Sequence, residues 1–265
     1  MKKLNFILPI LMIGLFTLVC SRMIGSGSIS PVTTMGIGSL LLVFLLLSKP
    51  KASAAKPMAQ IEEQIRGEFA KDAFADDPAL GAKFQAALTD YSKNMPKAAL
   101  NKLQKLAPQC TGDLEVYAVA MASAMIHTTL NKPMDAIKEY IRALNIHQDA
   151  SLAMQLGSCY QRIGELEKAM DSYEFALDLD PELTEARTKL ATAMVADGRY
   201  SMGLQQAEAI LEKNENNDSA LATAAICSAL LNDPVMYKHY LERAVSNGYK
   251  RDKITQTVDA LKKRK

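Results

Sequence analysis

The feature that most restricts this chain of 265 residues is a helix-ending residue type that returns at near-constant spacing. Asn94, Asn131, Gly164, Gly198 and Asn232 stand 37, 33, 34 and 34 residues apart. Glycine, and less often asparagine, takes the left-handed conformation that closes a helix. At three of the five positions a proline follows two residues later, as Pro96, Pro133 and Pro234, and proline suits the first turn of a new helix. Five residues past each turn position come Ala99, Ala136, Ala169, Gly203 and Tyr237; twelve past it come Leu106, Ala143, Ala176, Ile210 and Ala244. Five helix-turn-helix units share one register, and self-similarity at this period marks a solenoid.

The clearest unit, residues 150–183, reads ASLAMQLGSCYQRIGELEKAMDSYEFALDLDPEL. Leu156, Tyr160 and Ile163 share one face of a first helix, and Ala169, Tyr173 and Ala176 share one face of a second. Small residues at Gly157 and Ala169 let the two backbones approach, with Gly164 as the turn. Such a hairpin has too little core to fold alone and must stack. Leu156, Gly157, Tyr160, Gly164, Ala169, Tyr173, Ala176 and Pro181 together resemble the signature of the tetratricopeptide repeat (TPR) family, with Ala153 where that family often has tryptophan. The resemblance is good in 150–183, fair in 117–149 and 184–217, and weak in 80–116 and 218–251. In the last unit Tyr237 replaces a small residue and Ala224-Ala225 replaces Leu-Gly. Weak end units suit caps, whose outer faces meet water. Two apolar stripes flank the array: Ile61, Ile65, Phe69 and Phe74 in an amphipathic helix expected over 58–79, and Ile254, Val258 and Leu261 in a capping helix expected over 252–265. Each caps its end of the stack or offers a dimer or partner surface.

The N-terminal fifth is physically different. Residues 4–20 and 29–47 are two runs of 17 and 19 residues without a charge, each close to the ~20 residues a helix needs to span a bilayer. Residues 1–56 carry six cations and no acid, so a chain total of +2 leaves −4 on the rest. Lys2 and Lys3 precede the first run, Arg22 lies in the Gly25 and Gly27 turn, and Lys49, Lys51 and Lys56 follow the second. That distribution predicts a transmembrane hairpin over 1–48 with both ends, and the repeats, in the cytoplasm. A cleaved signal peptide over about residues 1–21 fits the first run too, as does an inverted or single-span arrangement. Ser30, Thr34 and Gly38 recur every four residues and offer a seam for close helix packing. Residues 49–57 read as a linker.

Nothing in the sequence points to catalysis, a cofactor or a metal. Cys20, Cys110, Cys159 and Cys227 are scattered without a C-x-x-C pair, and His127, His147 and His239 show no ligand spacing. There is no phosphate-binding glycine loop and no nucleophile elbow. Charge near neutrality argues against a bulk nucleic-acid partner, and no small-molecule substrate is evident. His127 replaces the repeat's tyrosine and reads as a core or edge side chain. Residues 250–265 carry a net charge of +5, which reads as a solvated helix end or as a contact for anionic lipid.

The family resemblance implies a superhelix whose first helices line a concave groove for a peptide. In this sequence that register selects Met121, Met125, Thr128, Met154, Ser158, Gln161, Thr188, Thr192, Val195, Ala222 and Ile226. The carboxylate clamp of chaperone-binding members is absent, because Met, Ser, Thr and Ala occupy its positions. The lining is expected to be apolar and Met-rich, suited to an apolar peptide or helix, although the same methionines serve equally as packing residues. The expectation is an all-α chain: a transmembrane helical hairpin followed by an α-solenoid of about five TPR-like units, a membrane-anchored bacterial interaction scaffold that recruits a protein or peptide and is able to self-associate. The alternative is an accessory or sensor subunit of a membrane enzyme, transporter or secretion complex, whose hairpin packs against partner helices.

Overall fold

The computed structural model describes residues 72–263, and these form eleven α-helices and one short 3₁₀ turn. Both apolar runs, the linker and most of the expected 58–79 helix lie outside the described residues. Among the described residues no helix is long and apolar enough to cross a membrane. The helices are α1 Pro78–Ser92, α2 Pro96–Leu106, α3 Asp113–Thr129, α4 Pro133–Leu144, α5 Ala150–Arg162, α6 Leu166–Leu179, α7 Thr184–Ala196, α8 Tyr200–Lys213, α9 Asp218–Leu230, α10 Pro234–Ser246 and α11 Arg251–Lys262.

At its C-terminal end the expected 58–79 helix is not continuous. Asp72 and Ala73 are helical, residues 74–77 turn, and α1 starts at Pro78. The Asp77 carboxylate accepts hydrogen bonds from the Ala79 and Leu80 N–H groups, both at 3.0 Å. An acidic N-cap followed by proline at the first helical position is a start signal for a new helix, so the expected helix does not run on to residue 79. Asp149, Asn217 and Asp233 cap α5, α9 and α10 in the same way.

All five turn positions take positive φ: about 60° at Asn94, Asn131 and Asn232, and 84° and 85° at Gly164 and Gly198. The next residue's N–H then reaches back to the last turn of the first helix, as in Lys132 N–H to His127 O (2.9 Å), Glu165 N–H to Tyr160 O (3.1 Å) and Asp233 N–H to Ser228 O (2.9 Å). The turn residue itself donates three residues back, as in Asn131 to Thr128 O and Gly164 to Gln161 O. This double closure satisfies carbonyls the helix end would leave bare, and it fixes the angle at which the second helix departs.

Where the paired helices cross, side chains are small. Ala99, Ala136, Ala169, Ala143, Ala176 and Ala244 are all fully buried. A methyl group on Gly157 would sit 2.7 Å from the Tyr173 ring and 2.9 Å from the Ala169 carbonyl oxygen, so that crossing has no room for even one carbon. Tyr140 and Tyr173, each at 0% exposure, fill the space beside these contacts.

Hairpins α1–α2, α3–α4, α5–α6, α7–α8 and α9–α10 stack in chain order, each second helix packing on the next first helix, and α11 closes on α9 and α10. The core is a series of clusters along the stack. The last hairpin packs despite its departures from the pattern. Ala224 and Ala225 are buried, Tyr240 donates its O–H to Glu208 Oε1 at 2.8 Å, and Ile254, Val258 and Leu261 of α11 are buried beside them.

The two glycine environments of the central hairpin separate strain from crowding. Gly164→Ala meets no atom within 4 Å, so it loses about 1 kcal/mol from left-handed backbone alone. Gly157→Ala forces a backbone shift and loses about 2 kcal/mol. Urea unfolding followed by circular dichroism should rank Gly157→Ala below Gly164→Ala, with Asn131→Gly close to wild type.

Candidate functional site

The side of the stack formed by first helices is where a groove can be lined, and the geometry redistributes the residues expected there. Met121, Met125 and Met154 are 2%, 2% and 1% exposed, Val195 7% and Ala222 2%. The apolar, Met-rich lining expected from sequence is therefore corrected: these side chains are core. Met154 lies in one cluster with Tyr173 and with Ala186, Leu190 and Met194 of the next first helix, so it fills the joint between hairpins. An unbranched, polarisable side chain suits such an irregular gap. Met121 and Met125 share a cluster with Leu152, Leu156 and Cys159. Val195 is buried where Gly203 makes room, since a Cβ on Gly203 would stand 3.0 Å from a Val195 methyl.

What stays accessible is short and hydroxylic. Ser158, Gln161, Thr188 and Ile226 are half-buried and Thr192 is exposed. Thr223 of α9 and Lys189 of α7, half-buried and on the same faces, were not singled out from sequence, although the register that marks Ser158 extends to them. The hydroxyls donate to carbonyls one turn back: Ser158 to Met154 O (3.0 Å), Thr188 to Thr184 O (2.8 Å), Thr192 to Thr188 O (2.8 Å) and Thr223 to Ser219 O (2.9 Å). Each is thereby oriented, and its oxygen lone pairs remain available as acceptors. The Tyr173 O–H donates to Gln161 Oε1 at 2.8 Å, which ties the groove glutamine to the hairpin core. Thr128 is held between Ala124 O and the Tyr140 hydroxyl. The face is lined by acceptors, small methyl groups and one amide, with the Lys189–Glu185 ion pair at 3.7 Å at its edge.

The signature residues build this face rather than compose it. Leu156, Gly157, Ala169, Tyr173 and Ala176 are buried, Tyr160 is half-buried, and Gly164 and Pro181 lie exposed in connections. Arg187 donates to the Pro181 carbonyl at 3.1 Å, fixing the α6–α7 connection. A separate recess of about 380 Å³ opens where the Asn232 turn meets α11, lined by Pro234, Tyr237, Thr255, Val258 and Lys262 among others. Tyr237, large where the repeat is usually small, forms one wall of it.

Cys110, Cys159 and Cys227 are buried free thiols. Burial raises all three, Cys227 to about 12, so none is a ready nucleophile. Among the described residues no group of three His, Cys, Asp or Glu side chains is placed to hold a metal ion. His127 is 8% exposed; its Nδ1 makes no hydrogen bond and stands 3.9 Å from Asp135 Oδ2. Burial holds its imidazole below the ordinary histidine value, with Asp135 opposing that shift and Lys132 adding to it.

No family model matches the chain. Solved structures do: MamA, with a TM-score of 0.59 at 15% identity over 63% of this chain and 91% of that one, and YrrB, described as a TPR protein with an unusual peptide-binding site, with a TM-score of 0.57 at 17% identity over 68% and 92%. In sequence, the mitochondrial import receptor subunit TOM70 of Saccharomyces cerevisiae is 26% identical over 106 residues, which is 40% of this chain. The match spans only 17% of that receptor's length. The chain has the tetratricopeptide-repeat fold.

Two measurements follow from this placement. Met154→Glu buries an unpaired charge and should cost several kcal/mol, whereas Thr192→Glu, on the same side of the stack but exposed, should melt within a few degrees of the parent. For His127, the unfolded chain binds the proton more tightly than the folded one. Its neutral burial therefore supports stability fully above about pH 6.5, and that support is lost as pH falls from there through the depressed folded value. A thermal-melting series from pH 7.5 to 5.5 should show a decline that is shallower in His127→Phe.

Proposed function

We propose that this tetratricopeptide solenoid is a membrane-tethered interaction scaffold that holds an extended peptide of a protein partner on the open side of its first helices. The observation that carries the reading is the row of half-buried and exposed side chains running across α5, α7 and α9: Ser158, Gln161, Thr188, Thr192 and Ile226. Their hydroxyl oxygens are oriented acceptors on successive helices, the chemistry that the backbone N–H groups of an extended chain would meet. Ile226 adds an apolar contact at one end. YrrB, as described, is a peptide-binding protein of this fold, and TOM70 is named as a receptor subunit; a peptide ligand is of the same class.

The tether rests on residues 4–20 and 29–47, whose flanking cations favour both ends and the repeats on the cytoplasmic side. Confinement beside the bilayer raises the effective concentration of the groove toward membrane-bound partners without any added contact. In this reading residues 1–48 anchor, 49–57 link, and 80–251 present five repeat units.

The test is crosslinking and pull-down from membranes with the full chain, comparing the parent with Thr188→Arg plus Thr192→Arg. Both side chains are outside the core, so helicity and melting should hold while recovery of the crosslinked partner falls at least tenfold. Undiminished recovery from a folded double variant would rule out the groove on α7 as the binding site.

A further inference from the structure

The three helices that carry the open row, α5, α7 and α9, hold three cations between them: Arg162, Arg187 and Lys189. Two are tied to the scaffold. Arg162 donates to the side-chain oxygen of Asn131, and Arg187 donates to Gln206 Oε1 and to the Pro181 carbonyl, both at 3.1 Å. Lys189 has no such anchor: its ammonium stands 3.7 Å from Glu185 Oε1, with 31% and 44% of the two side chains exposed. An ion pair that long and that open is worth little, so it yields to a better-placed anion.

Gln155 and Thr223 stand 34 residues before and after Lys189, one repeat in each direction, and α7 packs directly on both α5 and α9. The three side chains therefore form a row across neighbouring first helices, spaced about 8–10 Å apart. The row begins on α5, because α3 is buried from Tyr117 to His127 and carries Ala122 at this register, 1% exposed. Gln155 is 8% exposed, yet its amide makes no hydrogen bond, and unlike the His127 Nδ1 it is not sealed in the core. A polar side chain buried to that degree nearly always has its donors and acceptor met. Here they are left open at the register that Lys189 and Thr223 share.

We propose that the groove selects a peptide with an internal acidic residue, whose carboxylate binds the Lys189 ammonium while Gln155 clasps a backbone amide about three residues away. An extended chain advances about 3.3 Å per residue, so three residues bridge the gap between neighbouring first helices. The glutamine amide offers two donors and an acceptor, the complement of a peptide C=O and N–H. The ammonium–carboxylate contact is charge-assisted and stronger than a neutral hydrogen bond, so it is the point at which one kind of side chain is preferred. The acid belongs to a side chain and not to the peptide's C-terminus, because the row runs on past Lys189 in both directions, to Gln155 and to Thr223. This inference rests on the peptide reading above and narrows it to one ligand class.

The test immobilises the full chain in detergent micelles and offers it a synthetic library of random eight-residue peptides, acetylated and amidated at their ends. Retained peptides are sequenced by mass spectrometry. Asp and Glu should be enriched at least fivefold at one aligned position. Lys189→Glu should turn that preference to Lys and Arg, which a merely structural lysine would not do, and Glu185→Gln should sharpen it. Should Lys189→Glu melt well below the parent, Lys189→Met should abolish the preference instead. Gln155→Leu should lower retention of every peptide and keep the acidic preference; unchanged retention overturns the amide clasp. Peptides retained without an acidic preference, or with one that survives Lys189→Glu, overturn the proposal and leave the peptide groove standing. Retention only of a parallel library with free C-terminal carboxylates overturns it as well, since the anion would then be a chain end. A chain that retains nothing from either library removes the peptide groove and this subsite together.

Discussion

Each hairpin turns on a residue held at φ near 60° or 85°, and in four of the five an alanine or glycine stands five residues on, where the two helices cross, Tyr237 being the exception. Gly157 against the Tyr173 ring and the Ala169 carbonyl is the tightest instance. From that approach the rest follows. Close crossings bring Tyr140 and Tyr173 fully out of water, the second helix of each pair meets the next first helix, and apolar side chains such as Met154 fill the joints between hairpins. Charge and polarity are left for the outer and groove faces, where hydroxyls bonded one turn back replace the methionines that fill the joints.

The register of the turns was legible in the sequence because it depends on backbone freedom, which few residue types possess. Asn94, Asn131 and Asn232 could be read as equivalents of Gly164 and Gly198 only because all five share a spacing and three share a following proline. The start of α1 was less legible: the amphipathic helix expected over 58–79 ran across Asp77 and Pro78, where the structure starts a new helix. The burial of the first-helix residues was not legible in the sequence. Sequence register places Met121, Met125, Met154 and Val195 on first helices, but whether such a side chain reaches water depends on how closely the packed helices approach, and all four are buried. That approach is a tertiary quantity, set within a hairpin by residues such as Gly203, which makes room for Val195, and periodicity does not encode it.

The contrast between α3 and α7 follows the same logic. Both are first helices of the same stack, yet one is sealed and the other presents threonines. In the sequence the difference is already present as composition, since α3 reads AVAMASAMI where α7 alternates Thr, Lys and Ala. A periodic scaffold therefore carries aperiodic information on one face.

Every substantial contact among the described helices joins elements no more than two apart in order. Among the described residues no substantial contact joins the first hairpin to the last, so this array has the mechanics of a coil spring. Small tilts at each joint add along its length, and bending spreads over all joints instead of concentrating at one hinge. A ligand lying across α5, α7 and α9 would stiffen several joints together, so that occupancy would be felt as a change in compliance at both ends of the described array.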